Sequence, residues 1–401
     1  MSRKKISIKE QANILNYCKE YKVPLAQVLK DKGLSYDDLQ YLTHDTEPIQ
    51  GGATEDISTV LRFNDGIPAV SFFAGAGGLD VGFSYAGFNT IASIELVELF
   101  CNTLRHNNPE KIVIGPPDYS GNISNHEEIA TALRNVVGIE RGFNGVFHGG
   151  PPCQPFSIAA NQRFNKAGDN FKRKGFDDSE KGTLLFDYLW YIEEFLPQGF
   201  LIENVEGLLE LDDSGRIANA LNHISELGYS ISTPTIVNAS YYGVPQNRKR
   251  CIILGVRGKI KPVLPTPNQC PTPCGGVFER PLKNALNHVT REHSAESIER
   301  YIKLPYGGRD KLGRVDRLDP SKPSKTVIAG GTKGGGRSHL HPYHPRTLSV
   351  RECARLQTFP DDYEFTGSVA RQFTQVGNAV PPLLAYKLAL ALKEALYLNG
   401  R

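Results

Sequence analysis

The sequence predicts an α/β protein: a doubly wound, mostly parallel sheet with a smaller second region and a short helical N-terminal extension. Three observations predict it. From residue 66 onward, short apolar runs alternate with helix-length amphipathic stretches, the pattern of strands buried between two layers of helices. Four of these runs lead into a conspicuous feature: IPAVSFF into AGAGG, NTIASI into Glu95, GVFHGG into PPCQ, and GFLI into Glu203 and Asn204. Ligands of open α/β sheets bind beyond the carboxyl ends of the strands, so these features are expected to line one cleft. The third observation is size: 401 residues, 40% of them hydrophobic, can bury a large core and allow more than one domain.

Along the chain, QANILNYC and LAQVLKDKGLSYDDL show helical apolar spacing within residues 1–43, and the polar linker HDTEPIQGGATED follows. Residues 1–60 therefore read as a small appended helical domain with its linker, and 66–256 as the sheet domain, whose last strand is CIILGV. Residues 257–345 are rich in Pro, Gly and basic side chains, with weak periodicity. Regular structure returns in 346–401, where RTLSVRECARLQTF starts a helix. AVPPLLAYKLALALKEAL forms a C-terminal helix with proline in its first turn, expected to pack on the sheet.

The net charge of +3 gives no general argument for a polyanionic partner, but its distribution does. Between residues 305 and 346, nine basic residues (Arg309, Lys311, Arg314, Arg317, Lys322, Lys325, Lys333, Arg337 and Arg346) face only Asp310, Asp316 and Asp319. A basic, Gly-rich segment of this kind suits nucleic acid. No run approaches the roughly 18 apolar residues of a membrane span, and MSRKKISIKEQ has no apolar core, so the expected location is the cytoplasm. Seven scattered cysteines read as reduced thiols. Cys270, Cys274, His288 and His293 approximate a zinc-finger spacing. The interval before the first histidine is too long, and Pro271, Pro273 and Pro281 crowd the elements, so no metal site is expected.

The glycines of Phe73-Ala74-Gly75-Ala76-Gly77-Gly78, between a strand and a helix, permit close approach of a ligand to the backbone. Glu95, about twenty residues on, ends the next strand, where its carboxylate can accept from ribose hydroxyls. The pair points to a nucleoside-bearing cofactor, and the spacing is not that of a nicotinamide dinucleotide site. Cys153 follows two prolines that stiffen the backbone, at a strand end opposite the glycine loop, and reads as a nucleophile. Glu203 closes an apolar strand as a partly desolvated candidate acid. Arg248 and Arg250 in GVPQNRKRCIILG can lower the thiol's pKa or bind a substrate oxygen. No histidine stands ready to orient a base, which argues against a papain-like hydrolase.

Assembled, these residues resemble a cytosine-C5 DNA methyltransferase of the bacterial restriction-modification type, over about residues 66–395. Ser71 to Gly78 resembles the family's first motif and Gly150-Pro151-Pro152-Cys153-Gln154-Pro155-Phe156-Ser157 its nucleophile loop. Glu203-Asn204-Val205, Gln246-Asn247-Arg248-Lys249-Arg250, Arg351-Glu352-Cys353-Ala354-Arg355-Leu356-Gln357 and Gln375-Val376-Gly377-Asn378-Ala379-Val380-Pro381 resemble four more, in order. The resemblance implies the S-adenosylmethionine-dependent methyltransferase fold, S-adenosyl-L-methionine as methyl donor, S-adenosyl-L-homocysteine as product, no metal, and a flipped-out cytosine as substrate. Cytosine C5 is a poor nucleophile, and addition of the Cys153 thiolate at C6 creates an enamine able to attack the methyl sulfonium. Glu203 would donate to N3 and accept from the exocyclic amine, Arg248 would hold the carbonyl oxygen, and Asn204 would support the loop.

By the same resemblance Phe73 contacts the adenine, while Ala74, Gly75, Gly77, Gly78 and Leu79 approach the methionine part and Glu95 the ribose. Asn122, Ile123, Pro152, Leu184, Asn378 and Val380 complete the cofactor pocket. Asn122 departs from the aspartate usual in the family, and its carbonyl can still accept from the adenine amine; Leu96 replaces an aromatic residue sometimes found there. Residues 257–345 correspond to target recognition, and residues 346–401 complete the catalytic domain. Gln154, Ser157, Arg250 and Arg337 are expected at duplex DNA. The chain is expected to be a monomer away from membranes, protecting DNA from a partner restriction endonuclease. Two alternatives stand: an RNA substrate, as in a related tRNA-modifying branch, and a DNA-binding regulator whose residues 1–43 form a helix-turn-helix.

Overall fold

The computed structural model describes residues 6–43, 56–152, 184–210, 215–282, 285–328 and 339–401. By its contacts the chain divides into two compact units, each assembled from three segments. Ile57–Tyr242, Arg248–Gln269 and Ala379–Arg401 form one; Met1–Asp56, Gly243–Asn247 and Cys270–Asn378 form the other.

The first unit carries the sheet. Its strands are β1 (Phe63–Phe72), β2 (Ala86–Ile94), β3 (Ile112–Ile114), β4 (Val146–Gly149), β5 (Gly199–Val205), β6 (Tyr229–Ile231), β7 (Thr235–Asn238) and β8 (Lys249–Arg257). Their order is β3-β2-β1-β4-β5-β8-β6, with β7 also pairing β8. The first five run parallel, and β8 runs antiparallel to β5. The order reverses between β1 and β4, the position at which open α/β sheets leave a crevice at their strand ends. The continuous apolar runs are explained by burial on both faces. On one face Phe72, Phe147 and Phe200 pack with Tyr188, Tyr191 and Phe195 of the helix Leu184–Phe195, all fully buried. On the other side the helix Pro382–Leu398 sets Leu392 and Leu396 over Gly199, and Lys393 Nζ reaches Asp65 Oδ2 and the Ala86 carbonyl at 2.7 Å each. This C-terminal helix begins with proline and packs on the sheet, as its sequence predicts.

Beneath the glycine loop lies a buried polar cluster. Asp80 accepts from the Ser71 and Ser93 hydroxyls, both at 2.6 Å, and from Lys111 Nζ at 2.8 Å. Burial opposes its charge, but the Lys111 ammonium and these donors outweigh burial and hold the carboxyl at about 2. His148, central in β4, is fully buried, stacks on Phe83 at 4.1 Å between centroids, and neither ring nitrogen has a hydrogen-bond partner among the described residues. Burial lowers its pKa from 6.5 to about 4, against the opposite pull of Asp80. The unfolded chain therefore binds a proton that the native protein refuses, so stability falls as pH drops from about 6.5 to about 4. A His148→Phe protein is expected to lose this slope, checked by urea unfolding midpoints at pH 5 and pH 7.

The second unit joins segments that lie far apart in the chain. Within it, Ile14, Leu15 and Cys18 of the helix Ile8–Tyr21, with Leu25 and Leu29 of the helix Leu25–Asp31, share one core with Ala295, Ile298, Tyr301 and Ile302. The expected C-terminal segment 346–401 divides after residue 378, and only its last part belongs with the sheet. Its first helix, Val350–Leu356, starts where its sequence predicts, with Ser349 and Glu352 forming a reciprocal capping box.

The basic segment is also less available than its composition suggests. Arg317 is buried between the rings of Tyr41 and Tyr306, its guanidinium carbon 3.5 and 4.2 Å from their centroids, and donates to the Pro342 and Leu304 carbonyls and to Thr43 Oγ1. Arg346 is buried in a bidentate pair with Glu352 and reaches Asp37. Arg309 and Lys325 pair with Asp316, and Lys322 with Asp319. Much of the predicted footprint is thus structural. No helix among the described residues is long and apolar enough to cross a membrane.

Candidate functional site

After β1 the chain turns through left-handed backbone at Phe73, Gly75 and Gly77, with φ of 52°, 56° and 81°. Ala74 N donates to the Ile94 carbonyl of β2 at 3.0 Å, and Gly75 N donates to Glu95 Oε2 at 2.8 Å. The glycine loop and the acidic residue read separately from the sequence are therefore one hydrogen-bonded structure. Glu95 Oε1 accepts from Val97 N at 2.8 Å. Burial raises the pKa of this carboxyl, opposed by the backbone N–H groups of Val97, Gly75 and Leu96. Each oxygen keeps a lone pair for a hydroxyl donor. Gly77 caps the helix Gly78–Tyr85, where a methyl on Gly78 would fall 2.2 Å from the Val380 carbonyl oxygen. Only glycine permits that approach, and it brings Val380 to the loop, with buried Ala74 and Leu79 beside it.

The other expected cofactor residues are placed less uniformly. Asn122 is exposed, and its Oδ1 accepts from Ser124 N at 3.2 Å, so its carbonyl already serves a local turn. Ile123 is buried in the core, and its carbonyl accepts from the Tyr191 hydroxyl. Leu184, half-buried, heads the helix Leu184–Phe195, and Pro152 is exposed. Asn378 ends the helix Val369–Asn378 of the other unit.

A second group forms where β4 and β5 end and β8 begins. Gly150, just beyond β4, lies against Glu203: a methyl there would stand 2.9 Å from Glu203 Oε2. Asn204 Nδ2 donates to the Pro151 carbonyl at 3.3 Å while its Oδ1 accepts from Val205 N, which ties the start of the PPCQ loop to β5. Glu203 is 7% exposed and pairs through Oε1 with Arg250 Nε at 2.7 Å. Arg248 is buried at 2% exposure; burial and the neighbouring Arg250 lower its pKa well below the ordinary value, against the opposite effect of Glu203. A carboxylate and two guanidinium groups thus meet at the entrance to the cysteine loop. Cys153, Gln154, Ser157 and Arg337 lie outside the described residues.

Sequence reasoning set Arg250 at DNA and overlooked its bond to Glu203. The signal is strand parity. β8 pairs antiparallel with β5 so that Arg250 faces Val205 and Ile252 faces Glu203, and alternation then puts the side chains of residues 250, 252, 203 and 205 on one face. Without the pairing register, that parity cannot be read. The nearby thiols of Cys101 and Cys251 are both raised to about 12 by burial and by the adjacent carboxylates, Glu95 and Glu203 respectively, and are inert as nucleophiles.

The zinc-like residues are occupied otherwise. His288 Nδ1 lies 3.0 Å from Ser349 Oγ, His293 Nε2 meets Thr347, the buried Cys274 thiol lies 3.5 Å from the Asp319 carbonyl, and Cys270 is exposed. Among the described residues no group of three or more His, Cys, Asp or Glu side chains could hold a metal ion.

Comparison with known proteins fits this geometry. The model of the family described as C-5 cytosine-specific DNA methylase matches residues 67–394. The type II methyltransferase M.PspPI of Psychrobacter sp. (strain TA137) is 33% identical over 355 residues, covering 82% of this chain and 78% of the relative. M.Eco47II of Escherichia coli, also a type II methyltransferase, is 29% identical over 395 residues, 92% of this chain and 86% of the relative. A solved structure of a candidate DNA modification methyltransferase encoded within an E. coli prophage superposes with a TM-score of 0.63 at 26% identity, over 82% of this chain and 99% of that one.

Proposed function

The chain belongs to the C-5 cytosine-specific DNA methylases, and from that premise we propose that it methylates C5 of a cytosine extruded from a short duplex DNA site, through a covalent bond from Cys153 to C6. It is a DNA cytosine-5 methyltransferase of the type II restriction-modification class. Protection of DNA from a cognate endonuclease follows as its proposed role, with the protein acting as a monomer.

The single observation that carries the mechanism is the cluster of Glu203, Arg250 and Arg248 beside Gly150 and Pro151. The residues present also fit the expected cofactor. Gly75 and Glu95 offer a carboxylate held for ribose hydroxyls, and the contact of Gly78 with Val380 leaves backbone where a side chain would otherwise project. S-adenosyl-L-methionine, when bound there, supplies an electrophilic methyl group. The protein's own residues do the rest. The Cys153 thiolate adds to C6, making C5 electron-rich; Glu203, fixed at Oε1 by Arg250, holds a proton at N3; Arg248, with Arg250 beside it, stabilises charge on the ring's carbonyl oxygen. After methylation the C5 proton leaves to a base, and the thiolate departs to restore the ring. Asn204 holds the loop carrying Cys153. Extrusion is needed because C5 and C6 are shielded inside a stacked duplex.

The experiment is incubation with methyl-labelled donor and mixed-sequence duplex DNA, followed by nucleoside analysis, with tRNA in a parallel arm. Label in 5-methylcytosine of DNA is the expected result; label only in tRNA, or none, rejects the reading.

A further inference from the structure

The second unit presents a short hairpin, Arg309–Asp310 paired with Val315–Asp316, whose four-residue tip is Lys311-Leu312-Gly313-Arg314. The base of the hairpin is neutralised and held. Asp310 accepts from Arg300 Nε at 3.2 and 3.3 Å and from Gly313 N at 2.9 Å, and Asp316 takes Arg309 through two bonds and Lys325 at 3.2 Å. Both carboxylates are buried, at 6% and 7% exposure. The tip is the reverse. Lys311 and Arg314 are exposed and make no ion pair or hydrogen bond among the described residues, and Leu312 between them is 76% exposed.

Two further features show that this tip is pre-shaped. A methyl on Gly313 would fall 2.6 Å from Asp310 Oδ2 and 3.2 Å from the Tyr301 hydroxyl, so the turn packs down on its own base. Arg314 stands at φ 54°, where glycine would be relaxed and a long side chain is strained. A strained arginine and a solvent-exposed leucine add nothing to the fold around them. A rigid loop also loses little freedom when it meets a partner.

We infer that this tip is a DNA-reading probe: Lys311 and Arg314 take phosphates on either side, and Leu312 makes an apolar contact with the base edges between them. The chemistry follows from the tip itself. Paired cations release counterions from a duplex, while an isobutyl group between them finds its apolar partner in thymine methyls or a base step. The inference rests on the DNA-methylating function proposed above.

The test uses the full chain and a random-sequence 30-base-pair duplex, titrated across a range of KCl concentrations. The double variant Lys311→Ala/Arg314→Gly should bind about tenfold or more weakly, with the slope of log affinity against log salt reduced by about two. Because Arg314→Gly relieves strained backbone, its melting temperature should hold or rise. An unchanged salt slope overturns the inference, and so does a lower melting temperature without a slope change, which would assign the tip to folding. Leu312→Ala should leave the salt slope intact and relax base preference at one position of the methylated site, read by bisulfite sequencing of the expression host. An unaltered site pattern overturns the reading role. If the unmodified protein methylates no DNA, the proposed function fails; if it methylates normally and the variants match it, this inference alone fails.

Discussion

Replacing Cys153 with serine is expected to lower methyl transfer by at least about a thousandfold while leaving cofactor and DNA binding intact. A serine hydroxyl is far less ionised than a thiol near neutral pH, and no substitute is at hand, since Cys101 and Cys251 are buried beside carboxylates with their thiols raised to about 12. Single-turnover transfer of labelled methyl groups gives the rate, and duplex DNA containing 5-fluorocytosine gives a second readout. The unmodified protein should form a denaturant-stable adduct, because fluorine blocks loss from C5; the serine variant should form none. An adduct on the variant would remove Cys153 from the mechanism. Glu203→Gln is expected to be less severe, because glutamine keeps one hydrogen bond to N3 but leaves Arg250 without its counter-charge.

Deleting residues 1–43 should unfold the second unit, with loss of DNA binding. The deletion removes Ile14, Leu15, Cys18, Leu25 and Leu29 from a shared core, each of the aliphatic side chains worth roughly 1.5–3 kcal/mol when buried. It also strips Tyr41 and Thr43 from the buried Arg317 and Asp37 from Arg346. Together these losses compare with the whole stability of a typical domain, about 5–15 kcal/mol. The narrower Leu29→Ala change, at a side chain 1% exposed, should cost about 2–5 kcal/mol. Thermal melting and limited proteolysis check both. A detachable regulatory domain would instead leave the melting of the remaining chain unchanged.

The sheet was legible because its signal is local. The apolar portion of each parallel strand is buried on both faces and so reads as a run, and the glycine loop, Glu95 and Glu203 sit at fixed places relative to those runs. What was not legible depends on pairing. Arg250 looks like any basic residue before a strand until β8 is set antiparallel to β5 in its register. The charges of residues 305–346 could be counted but not apportioned: nothing local says that Arg317 will be sandwiched by tyrosines while Arg314 is exposed at a turn. The partner of the N-terminal helices is hidden for the same reason. Amphipathic helices at 8–21 and 25–31 announce an apolar stripe, and its partner, the helix Ala295–Tyr301, lies more than 250 residues away.

The helix Pro382–Leu398, packed against the sheet, has a consequence for how the protein is made. A ribosome adds about 5–20 residues per second, so on the order of ten seconds pass between completion of β8 at Arg257 and emergence of this helix. Through that interval the apolar positions over Gly199 lack the leucines that cover them, and Lys393 has not yet reached Asp65. The sheet unit therefore cannot complete its packing until this helix has emerged, and the yield of native enzyme should depend on what shields that face of the nascent chain.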